Sequence, residues 1–403
     1  MTAGEQHQLP LEGVRVIDLT RLLPGPFCTQ LLGDFGADVI KVEDTAVGDL
    51  TRLVPPYLGG SHSAAFLALN RNKRSLALDL KQERGREVLL RLVRQADVLV
   101  EGFRPGVMER LGLGWERLRA HNPRLVYCAL TGFGHQGPWQ QRPGHDINYL
   151  ALGGALAISG AADGPPQLPG VQVADLTGAL YAAVGILLAL RARERTGQGQ
   201  FVDVAMTDGV LALLSIHAAA ALAGAPPRRG RGPLGGSMPN YGVYATRDGR
   251  YLAVGALEPK FWQALCSAIG RPDLQAAAPV MLAGMDEQAA AAIRAELARL
   301  FASRTLAQWQ QLFAEIEACV TPVLEVEEAL ASEHARARVL VREQQHPELG
   351  ALPQLAPVPR LDATPGTLRR HPPAHGEHTA AILEELGYRP EEIAALRAAG
   401  AVR

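Results

Sequence analysis

The sequence predicts an α/β chain, with a Rossmann-like doubly wound parallel sheet in a large domain and a smaller α/β domain beside it. Three observations carry that expectation. From Gly13 to Leu130, apolar runs of strand length alternate with segments of helical period, the grammar of repeated βαβ units. Those runs are apolar on both faces, as strands covered by helices on both sides must be. The composition agrees, since 47% of the 403 residues are hydrophobic but only 5% aromatic, which suits a helix-rich chain better than an all-β one.

The elements follow in order. Gly13 to Leu19 is a strand, Pro24-Gly25-Pro26 a turn, Phe27 to Phe35 a helix, and Val39 to Glu43 a second strand. Ser75 to Leu80 is a strand, Glu83 to Gln95 an amphipathic helix, and Asp97 to Glu101 a strand. Trp115 to His121 is helical and Leu125 to Leu130 a further strand. Ala225 to Gly236, dense in Pro, Gly and Arg, reads as linker. Beyond it come a hairpin (Asn240 to Ala245, Tyr251 to Val254) and helices at Phe261–Ile269, Glu287–Ala302 and Leu306–Ile316. A Pro-rich tail ends in a helix over Thr379 to Leu386. The expected division is a large domain of residues 1–205 completed by 325–403, a linker of 206–238, and a small domain of 239–324.

Composition excludes several classes. Lys and Arg number 40 against 41 Asp and Glu, so no basic excess exists to drive nucleic-acid binding. The turn after the first strand is Leu22-Leu23-Pro24-Gly25-Pro26, neither a dinucleotide fingerprint nor a Walker loop. The four cysteines form no CxxC pair, and scattered thiols fit a reducing, cytoplasmic setting. Met1 to Gly13 shows no signal-peptide core. The apolar runs Leu176–Leu190 and Gly209–Pro227 are read as buried core helices, so no membrane partner is expected.

Some residues have the chemistry for a site. His145 follows a strand inside a Gly-rich polar segment, where open parallel sheets bind ligands. It is either a proton-transfer base or a loop histidine bonded to neighbouring backbone. Asp175 opens a long apolar helix, as a cap or as a carboxylate aimed into a cleft. Glu258, between strand and helix, is an ordinary first-turn acid or a partner that sets a histidine tautomer. His371, His375 and His378 have ligand-like spacing, but Pro372 and Pro373 break any helix that would align them. Arg71, Lys73, Arg74, Lys81, Arg104 and Arg110 are either solvated surface or a local anion site.

Several segments together resemble the family III CoA-transferases, and within them the alpha-methylacyl-CoA racemases. They are Leu11–Leu19, Leu32–Glu43, Asn70–Ser75, Glu101–Val107, Gly197–Val204 and Gly376–Thr379, and the likeness extends from about Leu11 to Tyr388. The last segment looks like the ordinary family terminus, which displaces the metal reading. Gly144-His145-Asp146-Ile147-Asn148-Tyr149 resembles the racemase motif, Asp175 the carboxylate shared by both branches, and Glu258 the racemase glutamate that partners the histidine.

The resemblance implies an interlocked homodimer and an acyl-CoA substrate whose CoA moiety is bound as part of the substrate, with no other cofactor. CoA contacts would fall at Leu78, Asp79, Leu80, Lys81, Gly102, Phe103, Arg104 and Arg110, and at Gly144, Asp146, Ile147, Asn148 and Tyr149. Some racemases place an arginine near Asp44, where this chain has an acid. The implied reaction is R-to-S epimerisation of 2-methyl-branched acyl-CoA through an enolate, with His145, oriented by Glu258, on one face and Asp175 on the other. The rival is CoA transfer between carboxylic acids through an aspartyl-CoA thioester at Asp175. A third class is a non-catalytic acyl-CoA-binding protein, against which the presence of all three ionisable residues argues.

Overall fold

The computed structural model describes residues 8–277 and 285–403. Most of the Met1–Gly13 segment considered above therefore lies outside the described residues. By its contacts the chain divides into two units. The first comprises residues 1–150, 172–212 and 333–403, and the second 151–171 and 213–332.

The first unit is built on six strands: β1 (Arg15–Asp18), β2 (Asp38–Glu43), β3 (Lys73–Ala77), β4 (Val98–Glu101), β5 (Val126–Thr131) and β6 (Phe201–Ala205). They pair in the order β3-β2-β1-β4-β5-β6, and every pairing is parallel. The order reverses between β1 and β4, which opens a crevice beyond the carboxyl ends of the strands. The expected doubly wound sheet is therefore present, and Phe201–Ala205, matched only as a motif, supplies its edge strand.

Four helices matter for the site: α1 (Pro24–Asp34), α2 (Glu83–Val93), α3 (Asp146–Leu152) and α4 (Val173–Thr196). Pro24 and Pro26 begin α1 where proline is tolerated, because the first helical N–H groups have no intrahelical acceptor. On one side of the sheet α2 packs its Val88, Leu89, Leu92 and Val93 against Ile17, Ile40, Leu76 and Leu99 in a fully apolar core. Helix α4 packs against α1, β5 and β6.

The chain's end completes this unit. A hairpin (Val341–His346, Gly350–Leu355) and the helices Glu333–Ala337, Thr379–Glu385 and Pro390–Ala398 belong to it, so this part of the tail has a hairpin and two helices more than its pattern predicts. Val402 bridges to Leu78, and the Asp79 N–H donates to the Ala401 carbonyl at 2.9 Å.

Beneath the strand ends lies a buried ionic network. Lys73 Nζ sits 3.1 Å from Asp18 Oδ2, Lys41 Nζ 2.7 Å from Asp49 Oδ2, and both lysines are fully buried. Burial pushes the Lys73 ammonium down to about 8. Asp49 also accepts the Leu22 N–H at 3.2 Å and so holds the turn after β1. Arg71 and Arg74 are likewise buried, on Asp34 and Asp38 respectively. The Arg71–Arg74 basic run is thus neither solvated surface nor an anion site, because each cation is neutralised internally.

The second unit has a three-stranded antiparallel sheet, Val320–Pro322, Tyr251–Gly255 and Tyr241–Ala245 in that order. Its core gathers Trp262, Leu265, Leu297, Phe301 and Trp309 from the helices Pro259–Ala268, Glu287–Phe301 and Leu306–Phe313.

The run 206–238 carries two helices, Met206–Leu213 and Ser215–Leu222, rather than linker alone. The first buries Gly209 and Val210 but the second buries none of its residues, so the expectation of a buried helix over Gly209–Pro227 holds only at its start. Helix α4 is long and apolar enough to cross a membrane, yet 44% of its most apolar window is buried, against the sheet and α1. Burial as a core helix therefore describes only one of its faces.

Candidate active site

A cleft of about 1270 Å³ opens at the carboxyl ends of the strands. Much of its wall directly follows the strands: Leu19–Leu22 follows β1, Asp44–Ala46 and Gly48–Asp49 β2, Leu78–Lys81 β3, Gly102–Arg104 β4 and Gly132–Phe133 β5. The switch-point rule therefore accounts for where the cleft lies.

His145 and Asp175 both line it. His145 immediately precedes α3, and its carbonyl accepts the Asn148 N–H at 2.8 Å. Its own N–H donates to Asn148 Oδ1 at 3.0 Å, so main-chain bonds fix the residue while the side chain stays exposed to the cleft.

Asp175 lies in the first turn of α4 and is half-buried. It does not cap its own helix. Asp146 does so from α3, accepting the N–H groups of Ala174 at 2.7 Å and Asp175 at 3.1 Å. Burial, then the Asp146 charge, pushes the Asp175 carboxyl up to about 6, with His145 pulling the other way. A carboxyl poised there can hold or release a proton near neutral pH.

Tyr149 braces the segment that leads into α3. Its hydroxyl donates to the Gly144 carbonyl at 2.6 Å. Its ring lies where a Cβ on Gly132 or Gly144 would fall, at 2.4 and 2.7 Å, which is why this segment is Gly-rich. Burial pushes the Tyr149 phenol up to about 12, with Asp175 adding to the shift and Arg104 opposing it.

The structure brings Leu78, Asp79, Leu80, Lys81, Gly102, Phe103, Arg104, Arg110, Gly144, Asn148 and Tyr149 to this one cleft. Asp146 and Ile147 do not line it, the first being spent on the α4 cap. Glu258 belongs to the second unit, before the helix Pro259–Ala268, and its side chain makes no capping bond. Asp44 lines the cleft and accepts the Ala46 and Val47 N–H groups, so an acid occupies the place of the expected arginine.

Arg21, Leu22, Phe133, Arg142 and Met206 also line the cleft and were not predicted. The Pro-rich turn after β1 was the available signal for the first two.

The three tail histidines hydrogen-bond to different groups: Glu377 for His371, the Asp44 carbonyl for His375 and the Ser75 N–H for His378, with Glu377 also 3.9 Å from His378. Among the described residues no group of three His, Cys, Asp or Glu converges to hold a metal.

The architecture is that of a doubly wound α/β protein whose strand-end cleft holds a raised carboxyl and a histidine. The chain belongs to CoA-transferase family III, whose family model matches residues 11–379. It is 41% identical to a mouse protein named alpha-methylacyl-CoA racemase, covering 95% of each chain. It is 37% identical to a Chloroflexus aurantiacus succinyl-CoA–D-citramalate CoA-transferase, covering 98% of this chain and 99% of that one. A solved CAIB/BAIF family protein from Brucella suis superposes with a TM-score of 0.83 at 35% identity, covering 94% of this chain and all of that one.

Proposed function

We propose that this protein epimerises 2-methyl-branched acyl-CoA thioesters, from R to S, by removing and returning the α-proton. The observation that carries the reading is the pair His145 and Asp175 in one cleft, with the Asp175 carboxyl raised to about 6. The thioester makes the α-hydrogen weakly acidic. In the R-to-S direction one group takes it as a base and the other, on the opposite face of the enolate, returns a proton. Two different groups are needed, because a single base tends to return the proton to the face it came from. The N–H groups of Ala174 and Asp175 are occupied by Asp146, so the enolate oxygen must find donors elsewhere in the cleft. The thioester's CoA moiety would lie along Leu78–Lys81 and Gly102–Arg104, with Lys81, Arg104 and Arg110 as the exposed cations for its phosphates. No metal or redox cofactor is required.

The proposal includes a homodimer in a cytoplasmic setting, in which Glu258 of a second copy orients His145. Its support is the exposed apolar face of α4, described below, and the four unpaired cysteines. A mixed dimer of His145→Ala and Glu258→Ala chains should regain activity that neither variant has alone. Cell fractionation checks the compartment.

CoA transfer remains the second reading, because transferases stand among the relatives and Asp175 would then be the nucleophile. The deciding experiment incubates the protein with (2R)-2-methyldecanoyl-CoA in deuterated water without an acceptor acid. Deuterium entry at the α-carbon with loss of optical purity supports epimerisation. Absence of exchange, together with a hydroxylamine-trappable acyl group on Asp175, supports transfer instead.

A further inference from the structure

Glu101 ends β4, and its carboxylate is almost wholly buried. One oxygen accepts the Phe103 N–H at 2.7 Å and so bends the chain that carries Gly102, Phe103 and Arg104 into the cleft. The other accepts the Tyr127 hydroxyl at 3.4 Å. That same oxygen lies 3.7 Å from Nε2 of His135, close enough for an ion pair but too far for a hydrogen bond.

His135 is held in place independently of this contact. Its N–H donates to both carboxylate oxygens of Asp203, at 3.2 and 3.0 Å, and its ring stands edge-on to Phe201 with centroids 5.1 Å apart. Nε2 is buried and has no hydrogen-bond partner. A ring nitrogen beside a buried carboxylate must carry a proton, and the carboxylate's charge favours the imidazolium over the neutral Nε2–H tautomer.

We infer that His135 is a positioning residue: as a cation it neutralises buried Glu101 and locks the Gly102–Arg104 segment in the shape that grips the CoA moiety. The inference rests on the reading of the cleft as an acyl-CoA site. The charged groups that act most strongly on His135 are acidic: Glu101 on β4, Asp203 on β6 and Glu109 on the short helix Val107–Arg110. Glu101 foremost holds the imidazole above the ordinary histidine range, against its burial. Loss of that proton at alkaline pH leaves Glu101 buried without a counter-charge, and the segment loosens. Affinity for CoA should therefore fall as pH rises through the elevated His135 titration.

The test measures CoA binding by calorimetry at about pH 6 and about pH 8.5, for the wild type and for His135→Gln and His135→Lys. The wild type should bind about tenfold more weakly at the higher pH. His135→Gln should bind weakly at both, and His135→Lys, which keeps its charge, tightly at both. Asp175, raised to about 6, titrates at the lower edge of this window, so Asp175→Asn and His145→Gln are both included to remove the cleft's own titrating groups, and the pH dependence should survive each. Histidine NMR of the wild type should show the His135 resonance titrating above 6.5, a readout independent of how the variants fold. Wild-type binding with unchanged affinity in His135→Gln overturns the inference alone, as does a His135 titration at or below the ordinary value. Failure of the wild type to bind CoA overturns the cleft reading and the inference together.

Discussion

Asp146 and Asp175 show how one carboxylate can tune another. Asp146 sits on the N–H groups of Ala174 and Asp175, and its charge adds to burial in raising the Asp175 carboxyl to about 6. Asp146→Asn keeps an oxygen for the cap but removes the charge. The Asp175 titration should then move down towards the ordinary carboxylate range without reaching it, because burial is the larger cause. Carboxyl-carbon NMR, or the acid limb of the rate profile, checks this. Asp175→Asn should abolish turnover and stabilise the fold. A carboxyl whose folded value lies above its unfolded one takes up protons on folding, so its charge destabilises the native state increasingly as pH rises from about 4 to about 6. The gain in melting temperature should be about 2 °C at neutral pH and vanish below pH 4. An equal gain at both pH values would refute the account.

Helix α4 is the element on which the site depends. It approaches β5 and the start of the helix Met206–Leu213 closely through Gly178, where a Cβ would fall 2.6 Å from Met206 Cγ and 3.2 Å from Leu130 Cδ1. Gly178→Val should cost about 1–3 kcal/mol through overpacking, read as a lowered urea midpoint. Activity should fall further than stability, because Asp175 lies one turn away on the same helix. The strand ends depend on the buried ionic network in the same way. Lys73→Met leaves Asp18 buried with its nearest cation gone, and should cost about 3–5 kcal/mol. Both helix and strands were legible from apolar periodicity. The C-terminal helix Pro390–Ala398 was not, since its apolar stripe is weak and its position is held by long-range contacts such as the Val402–Leu78 bridge.

For the whole molecule, the apolar surface left uncovered is the telling feature. On α4, Leu180, Tyr181, Val184, Leu187 and Leu188 share one face and are 43–65% exposed. A helix that is apolar all round needs cover on both sides. The proposed second copy would supply that cover. Val184→Glu with Leu188→Glu should convert a dimer to monomers in light scattering and remove activity. A wild type that is monomeric, or that partitions into detergent, would overturn the dimer.

The amino-acid sequence by itself determined the sheet, its helices and the residues around which the site is built, because alternating apolar runs and short motifs are local signals. Local setting marked His145 and Asp175 only as candidates, each equally readable as a loop histidine or a helix cap, and it was the resemblance of their motifs to a family that singled them out. Tertiary structure alone decided which of the singled-out charges face the cleft. Arg71, Lys73 and Arg74 turned inward onto carboxylates, while Lys81, Arg104 and Arg110 stayed at the cleft. It also decided that Asp146 caps another helix, and that His135 meets Glu101 across two strand ends. Such pairings join residues tens of positions apart, and the free energy of burying a charge, which selects them, is set only once the chain has closed around it.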